Sequence, residues 1–216
     1  MDRNKLLLAA VVSALTICFP RAGAAEDIDA GLKLGFNLSG FYGDDANPPG
    51  TSSISRMGFT GGAFFVYPIA KGIDIQPELL LSTKGTIYKL EVLGEPYEQT
   101  VTLTYLEIPV LLRMNLIMPR QEVVPYFLLG PVLSIKTAAR SEVRTLAGAT
   151  SGDVDNIRSF DFGAALGAGI EMPTGKGSIV FEMRYTLGLN TIVDSSGGSD
   201  ADIKNRSFAF TAGYRF

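Results

Sequence analysis

The sequence predicts an all-β chain, an eight-stranded antiparallel up-and-down barrel that spans a membrane. Three observations carry that expectation. Apolar and polar or small residues alternate with period two through most of the chain, which puts them on opposite faces of strands. Short turns and long loops alternate between the strands, as in outer-membrane barrels. Past residue 25 no uninterrupted apolar segment approaches helical spanning length, so a membrane-integral state requires a barrel.

The first 25 residues read as an export signal. Arg3 and Lys5 precede the apolar run Leu6 to Phe19, and Arg21 leads into Ala22-Gly23-Ala24-Ala25. A basic start, apolar middle and small-residue exit place cleavage after Ala24 or Ala25 and leave residues 26–216 as the barrel domain. The apolar run is short for a membrane anchor, which needs about 20 residues. The single cysteine, Cys18, falls inside the signal, with Ile17 where a lipoprotein site wants a small residue. The mature chain is then free of disulfides. Losing Arg3, Lys5, Arg21 and Asp2 leaves 16 basic and 21 acidic residues, a net charge of −5. A net acidic balance argues against nucleic acid as a partner.

A first strand, Gly31 to Gly40, alternates Leu32, Leu34, Phe36 and Leu38 against Lys33, Gly35, Asn37 and Ser39. After a Pro/Gly/Asp loop, a second strand covers Arg56 to Tyr67, its facing ambiguous at Phe64 and Phe65. The third starts near Ile73 with Asp74, Gln76, Glu78 and Ser82 on one face, and Lys84 to Glu91 continue it as a polar stretch toward a turn at Gly94-Glu95-Pro96. The fourth, Gln99 to Leu116, sets Leu106, Ile108, Val110, Leu112 and Met114 against Tyr105, Glu107, Pro109, Leu111, Arg113 and Asn115. These two are the longest, so their hairpin is expected to project beyond the membrane. Met118 to Glu122 returns the chain to a fifth strand, Val124 to Arg140. A polar loop follows from Ser141 to Asn156. The sixth strand, Ile157 to Met172, alternates Phe160, Phe162, Leu166 and Ile170 with Asp161, Gly163, Gly167, Gly169 and Glu171. The seventh carries Ile179, Phe181, Met183, Tyr185 and Leu187 against Glu182 and Arg184. The last, Lys204 to Phe216, puts Phe208, Phe210, Ala212, Tyr214 and Phe216 on one face. Both mature termini are then expected in the periplasm. The terminal aromatic Phe216 is the kind of closing residue that the barrel assembly machinery engages.

Among residues that could carry chemistry, the sharpest constellation is an inward charge set: Lys33, Asp74, Glu78, Glu107, Arg113, Asp161, Glu171, Glu182, Arg184 and Arg215. In an eight-stranded barrel the interior is only wide enough for side chains to fill it, and enclosed charges must pair. The set is read as a structural, salt-bridged polar plug, with a gated conduit as the alternative. With no histidine in the chain, Ser-His hydrolase sites, Asp-His protease sites and most zinc sites are out of reach. A Ser-Lys dyad is the alternative reading of Ser82 with Lys84 and Ser134 with Lys136, which are read as ordinary same-face strand neighbours. The segment Gly163 to Gly169 (GAALGAG) lacks the strand–helix context of a dinucleotide loop and the apolar helix of a packing motif, so its glycines are read as room for bulky lumen neighbours. Asp153/Asp155 and Asp194/Asp200/Asp202 lack the ligand spacing of a calcium loop. Phe36, Tyr67, Phe127, Phe160, Phe181, Tyr185, Tyr214 and Phe216 are candidates for interfacial aromatic girdles.

The chain resembles the PorT-like family of outer-membrane β-barrel proteins common in Bacteroidetes. The resemblance is carried by GLKLGFNLSG at residues 31–40, TYLEIPVLLR at 104–113, PYFLLGPVLSIK at 125–136, FDFGAALGAGIEM at 160–172 and the closing FAFTAGYRF. It implies an OmpX-like barrel in the outer membrane. One named member type takes part in type IX secretion, but no residue motif here carries that role over.

The sequence thus leads to a non-enzymatic integral outer-membrane protein without cofactor, metal or catalytic residues. Outer-membrane lipids surround it, and its extracellular loops or long hairpin engage a partner. The alternatives are a narrow channel or secretion component, a lipid-modifying enzyme, and a secreted soluble lipocalin-like barrel with its apolar face turned inward around a ligand.

Overall fold

Period-two segments can satisfy their backbone groups only against neighbouring strands, and in lipid that requires a closed ring. The computed structural model describes residues 28–92, 95–117, 122–146, 148–154, 156–194 and 201–216. Its strands are β1 (Asp29–Tyr42), β2 (Ser52–Ala70), β3 (Ile73–Val92), β4 (Glu95–Asn115), β5 (Val124–Thr145), β6 (Gly148–Asp153), β7 (Phe160–Thr174), β8 (Gly177–Gly188) and β9 (Lys204–Arg215). The expected signal segment lies outside the described residues, as do Gly94 in the expected β3–β4 turn and residues 118–121 of the return to β5.

Eight strands close the ring, each antiparallel to the next: β4-β3-β2-β1-β9-β8-β7-β5, with β5 returning to β4. Hydrogen-bonded neighbours of Lys33 pass through Gly62, Leu80, Glu107 and Ser134 to Asp161 on β7. In the other direction they pass through Gly213 and Val180 to Glu171, also on β7. The ring therefore closes with a stagger of ten residues, the separation of Asp161 and Glu171, which inclines the strands by about 40°.

A ninth strand corrects the expected loop over Ser141 to Asn156. β5 continues to Thr145, and β6 returns along it from Thr145↔Gly148 to Arg140↔Asp153. Every residue of β6 is exposed. With no buried face, the segment carries no period-two signal, and only backbone pairing makes it a strand.

Below the long-loop rim the wall is apolar outside. Leu34 is 65% exposed, Met57 66% and Leu166 61%, whereas Lys33, Glu78, Glu107, Arg113 and Arg184 are buried inside. This arrangement is the reverse of the soluble lipocalin-like alternative and removes it. The ambiguity in the second strand resolves with Phe64 buried in the lumen and Phe65 outward.

Above the rim, the upper parts of β3, β4 and β5, with β6 and Ser52 to Ser55 of β2, form a projecting sheet. Its root contains Gly85, whose φ of 149° few side chains tolerate; a Cβ there would lie 1.9 Å from the Val101 carbonyl oxygen. The Gly85 N–H donates to Ser39 Oγ on β1, past the irregular stretch of β2, at 2.9 Å. Register shifts mark the same level, in β2 between Ser55 and Thr60 and in β4–β5 at Thr104/Tyr105. Such bulges bend a sheet out of its wall.

Candidate functional site

Inward positions of neighbouring strands meet across the lumen, and four polar groups form there. In the first, Glu78 accepts from Lys33 Nζ (2.7 Å), Gln76 Nε2 (2.7 Å) and Arg184 Nη1 (2.7 Å). Lys33 also reaches Glu182 Oε1 at 3.0 Å, so two carboxylates and two cations share one cluster. In the second, Glu107 accepts from Lys84 Nζ (2.5 Å), Ser82 Oγ (2.7 Å) and Ser134 Oγ (3.3 Å). In the third, at the short-turn end, Glu171 holds both Arg113 and Arg215, the latter at 2.5 Å. Arg215 reaches Asp29 at 3.4 Å, which links the first and last strands. Arg113 lies over the Tyr126 ring at 3.8 Å, a cation–π contact. Its Nε donates to Asn115 Oδ1 at 2.9 Å, and Asn115 Nδ2 donates to Asp74 Oδ2 at 2.6 Å. In the fourth, Asn205 Nδ2 donates to Asp161 Oδ2 (2.7 Å) and to the Tyr105 hydroxyl (3.1 Å).

Apolar side chains fill the space around these groups. Toward the short-turn half, Phe64, Val66, Leu111, Tyr126, Leu128, Val132, Ala165 and Val180 pack as one buried cluster. Gly169 makes room for it: a Cβ there would stand 2.3 Å from Tyr126 Cζ. At the long-loop end, Phe41, Ala46, Leu103, Tyr105, Ala139 and Ile192 form a second cluster, with Val154, Ile157 and Val193 against it. Hydrogen bonds pin the connecting loops over it, Arg158 N–H to Ile192 O (2.8 Å) and Ile192 N–H to Ile203 O (2.7 Å). Tyr88 donates to Ala46 O at 3.0 Å, and burial raises its pKa above the ordinary phenol value.

The positions read from the sequence fall as follows. Lys33, Asp74, Glu78, Glu107, Arg113, Asp161, Glu171, Glu182 and Arg184 all point inward and are buried. Arg215 sits at the rim with its side chain 24% exposed. Lys84, read as part of a polar continuation and as the same-face neighbour of Ser82 but left out of the inward charge set, belongs with them as the cation facing Glu107. Its signal was available in parity, since Gln76, Glu78, Ser82 and Lys84 share one face. Neither Ser-Lys pair is arranged as a dyad: Ser82, Lys84 and Ser134 all engage Glu107, while Lys136 donates to Ile157 O at 2.5 Å. Asp155 and Asp200 lie outside the described residues, and Asp202 pairs with Lys204 at 2.8 Å. Of the aromatic candidates, Tyr67 and Phe216 are exposed near the short-turn end, Phe160 and Tyr185 toward the long-loop end, and Phe36, Phe127 and Phe181 lie together on one part of the wall.

The sequence model of the outer membrane protein beta-barrel domain matches residues 21–194. The chain belongs to that family. It is accordingly an integral β-barrel protein of the outer membrane. Among solved structures of the same kind, it is similar to Ail, the attachment invasion locus protein of Yersinia pestis, at 16% identity and a TM-score of 0.41, covering 88% of this chain and 99% of that one. Neisserial surface protein A is similar at 15% identity and a TM-score of 0.45, over 88% and 98%. The translocator domain of the autotransporter NalP from Neisseria meningitidis is similar at 8% identity and a TM-score of 0.38, over 99% and 96%. Comparison with curated proteins finds no match.

Proposed function

We propose that this outer-membrane barrel is a non-enzymatic, non-conducting anchor that presents its projecting sheet to an extracellular partner, with both termini in the periplasm. The observation that carries this reading is the open edge of β6 at the end of a sheet that continues directly from a filled barrel. In a two-residue hairpin the flanking residues face each other through hydrogen bonds. Gly148, Thr150 and Gly152 then serve the ladder to β5, and Ala149, Ser151 and Asp153 turn their backbone groups outward. Such an edge recruits an extended segment by strand addition.

What supports a plugged lumen is its filling: ion pairs from mid-height to the short-turn end with an apolar cluster packed among them, and the loop-covered cluster above. What supports the absence of catalysis is that Glu78, Glu107, Glu171 and Glu182 are each paired with lumen cations. The segments that carry the resemblance to PorT-like barrels, residues 31–40, 104–113, 125–136, 160–172 and the closing strand, lie in or beside the wall.

Planar-bilayer recording of the purified barrel tests the plug, and trypsin treatment of intact cells tests the presentation. The reading expects no conductance steps and cleavage after the exposed Arg140 or Arg144. Steady conductance that changes when Glu107 or Arg113 is neutralised would establish a channel instead. Resistance of both arginines in intact cells, with cleavage only after lysis, would reverse the assigned orientation.

A further inference from the structure

The outer wall is not uniform. On β1, β9, β8, β7 and β5 it carries an apolar trough of about 720 Å³, within the size range of small-molecule sites. Two adjacent rungs of the sheet build it. One runs Phe36, Phe210, Met183, Ala168 and Phe127 from strand to strand. The other runs Leu34, Ala212, Phe181, Ile170 and Pro125. Ala212 and Ala168 form the floor, because their small side chains leave the backbone of the sheet uncovered between larger neighbours. Phe36 and Phe210, with ring centroids 5.4 Å apart, form one wall.

We infer that this trough binds a single acyl chain of a membrane phospholipid. The inference rests on the outer-membrane placement and is independent of the role proposed for the projecting sheet. Its length follows from the strand spacing: four steps of about 4.8 Å make roughly 19 Å. It is inclined, because the rungs descend from Leu34, five residues into β1, to Pro125, one residue into β5. With strands tilted by about 40°, the rise along the membrane normal is about 12 Å, which fits one leaflet of a hydrocarbon core about 30 Å thick. The low end opens at the short-turn rim, so the headgroup sits there and the chain climbs obliquely toward β1. Both chain and wall are apolar, so selection comes from dispersion contacts with rings and floor on several sides, which a convex wall does not offer.

The test is photolabelling of the full barrel in bilayers containing phosphatidylethanolamine with a mid-chain diazirine, with labelled residues mapped by mass spectrometry. Label is expected to concentrate on trough residues such as Leu34, Phe181 and Phe210 over Leu79 and Val110 on the far wall. Filling the floor with A168F/A212F is expected to lower trough labelling severalfold and leave the far wall unchanged. Should that pair fail the heat-modifiability test for folding, A168L/A212L carries the same comparison, and the wild-type label distribution stands without either. Equal labelling of both walls, insensitivity to filling, or cross-linked dimers joined through this face would each overturn the assignment.

Discussion

β4 passes through two media, and its code inverts between them. In the lower part Leu106, Ile108, Val110, Leu112 and Met114 face outward and Glu107 and Arg113 face in. In the upper part Glu98, Thr100, Thr102 and Thr104 take the outward positions while Val101, Leu103 and Tyr105 pack inward. β3 and β5 change at the same height, Leu81 giving way to Thr83 and Ile135 to Ala138 and Arg140. Parity along β4 never breaks; the solvent on its outer side does. Where the outer side is lipid, apolar groups turn out and polar groups must satisfy one another inside. Once water covers that side, burial of apolar groups drives packing inward again.

The largest expected effect comes from breaking the inward code below the boundary. Glu78→Ala leaves Lys33 and Arg184 without their shared carboxylate and should cost about 3–5 kcal/mol, as removal of one buried partner does. Urea titration of folding into vesicles measures it. An outward charge distinguishes the two media on one strand: Leu112→Arg should cost about 2–4 kcal/mol in the bilayer, whereas Thr102→Arg should stay within about 0.5 kcal/mol. In the inward-packed upper cluster, Leu103→Ala should cost about 2–3 kcal/mol through the cavity it leaves. It should also speed hydrogen exchange in the loops near Ile192 more than in the lower wall. Smallest of all, Arg144→Ala removes an exposed pair with Glu142 and should leave the urea midpoint unchanged.

The sequence shows the wall plainly because lipid enforces strict alternation there. Its pattern placed the charged side chains in the lumen, but pairing depends on register and on the stagger of ten, which no single strand reveals. Lys84 illustrates this: its parity was visible, yet its place opposite Glu107 follows only once β3 and β4 are aligned. β6 fails for the opposite reason, since a strand exposed on both faces has no amphipathic signature. Phe64 shows a third limit, because a lumen that must be filled accepts apolar bulk at positions the alternation reserves for polar groups.

Accessibility scanning along β4 tests the inversion most directly. With Cys18 the chain's one cysteine, single spin-labelled cysteines can be placed at each even position from Glu98 to Met114 in bilayers. Labels at positions 98 to 104 should meet a water-soluble relaxation agent, and those at 106 to 114 should meet oxygen dissolved in lipid, with the change between 104 and 106. Uniform access to the aqueous agent along the whole strand, or a change displaced by several residues, would contradict the account.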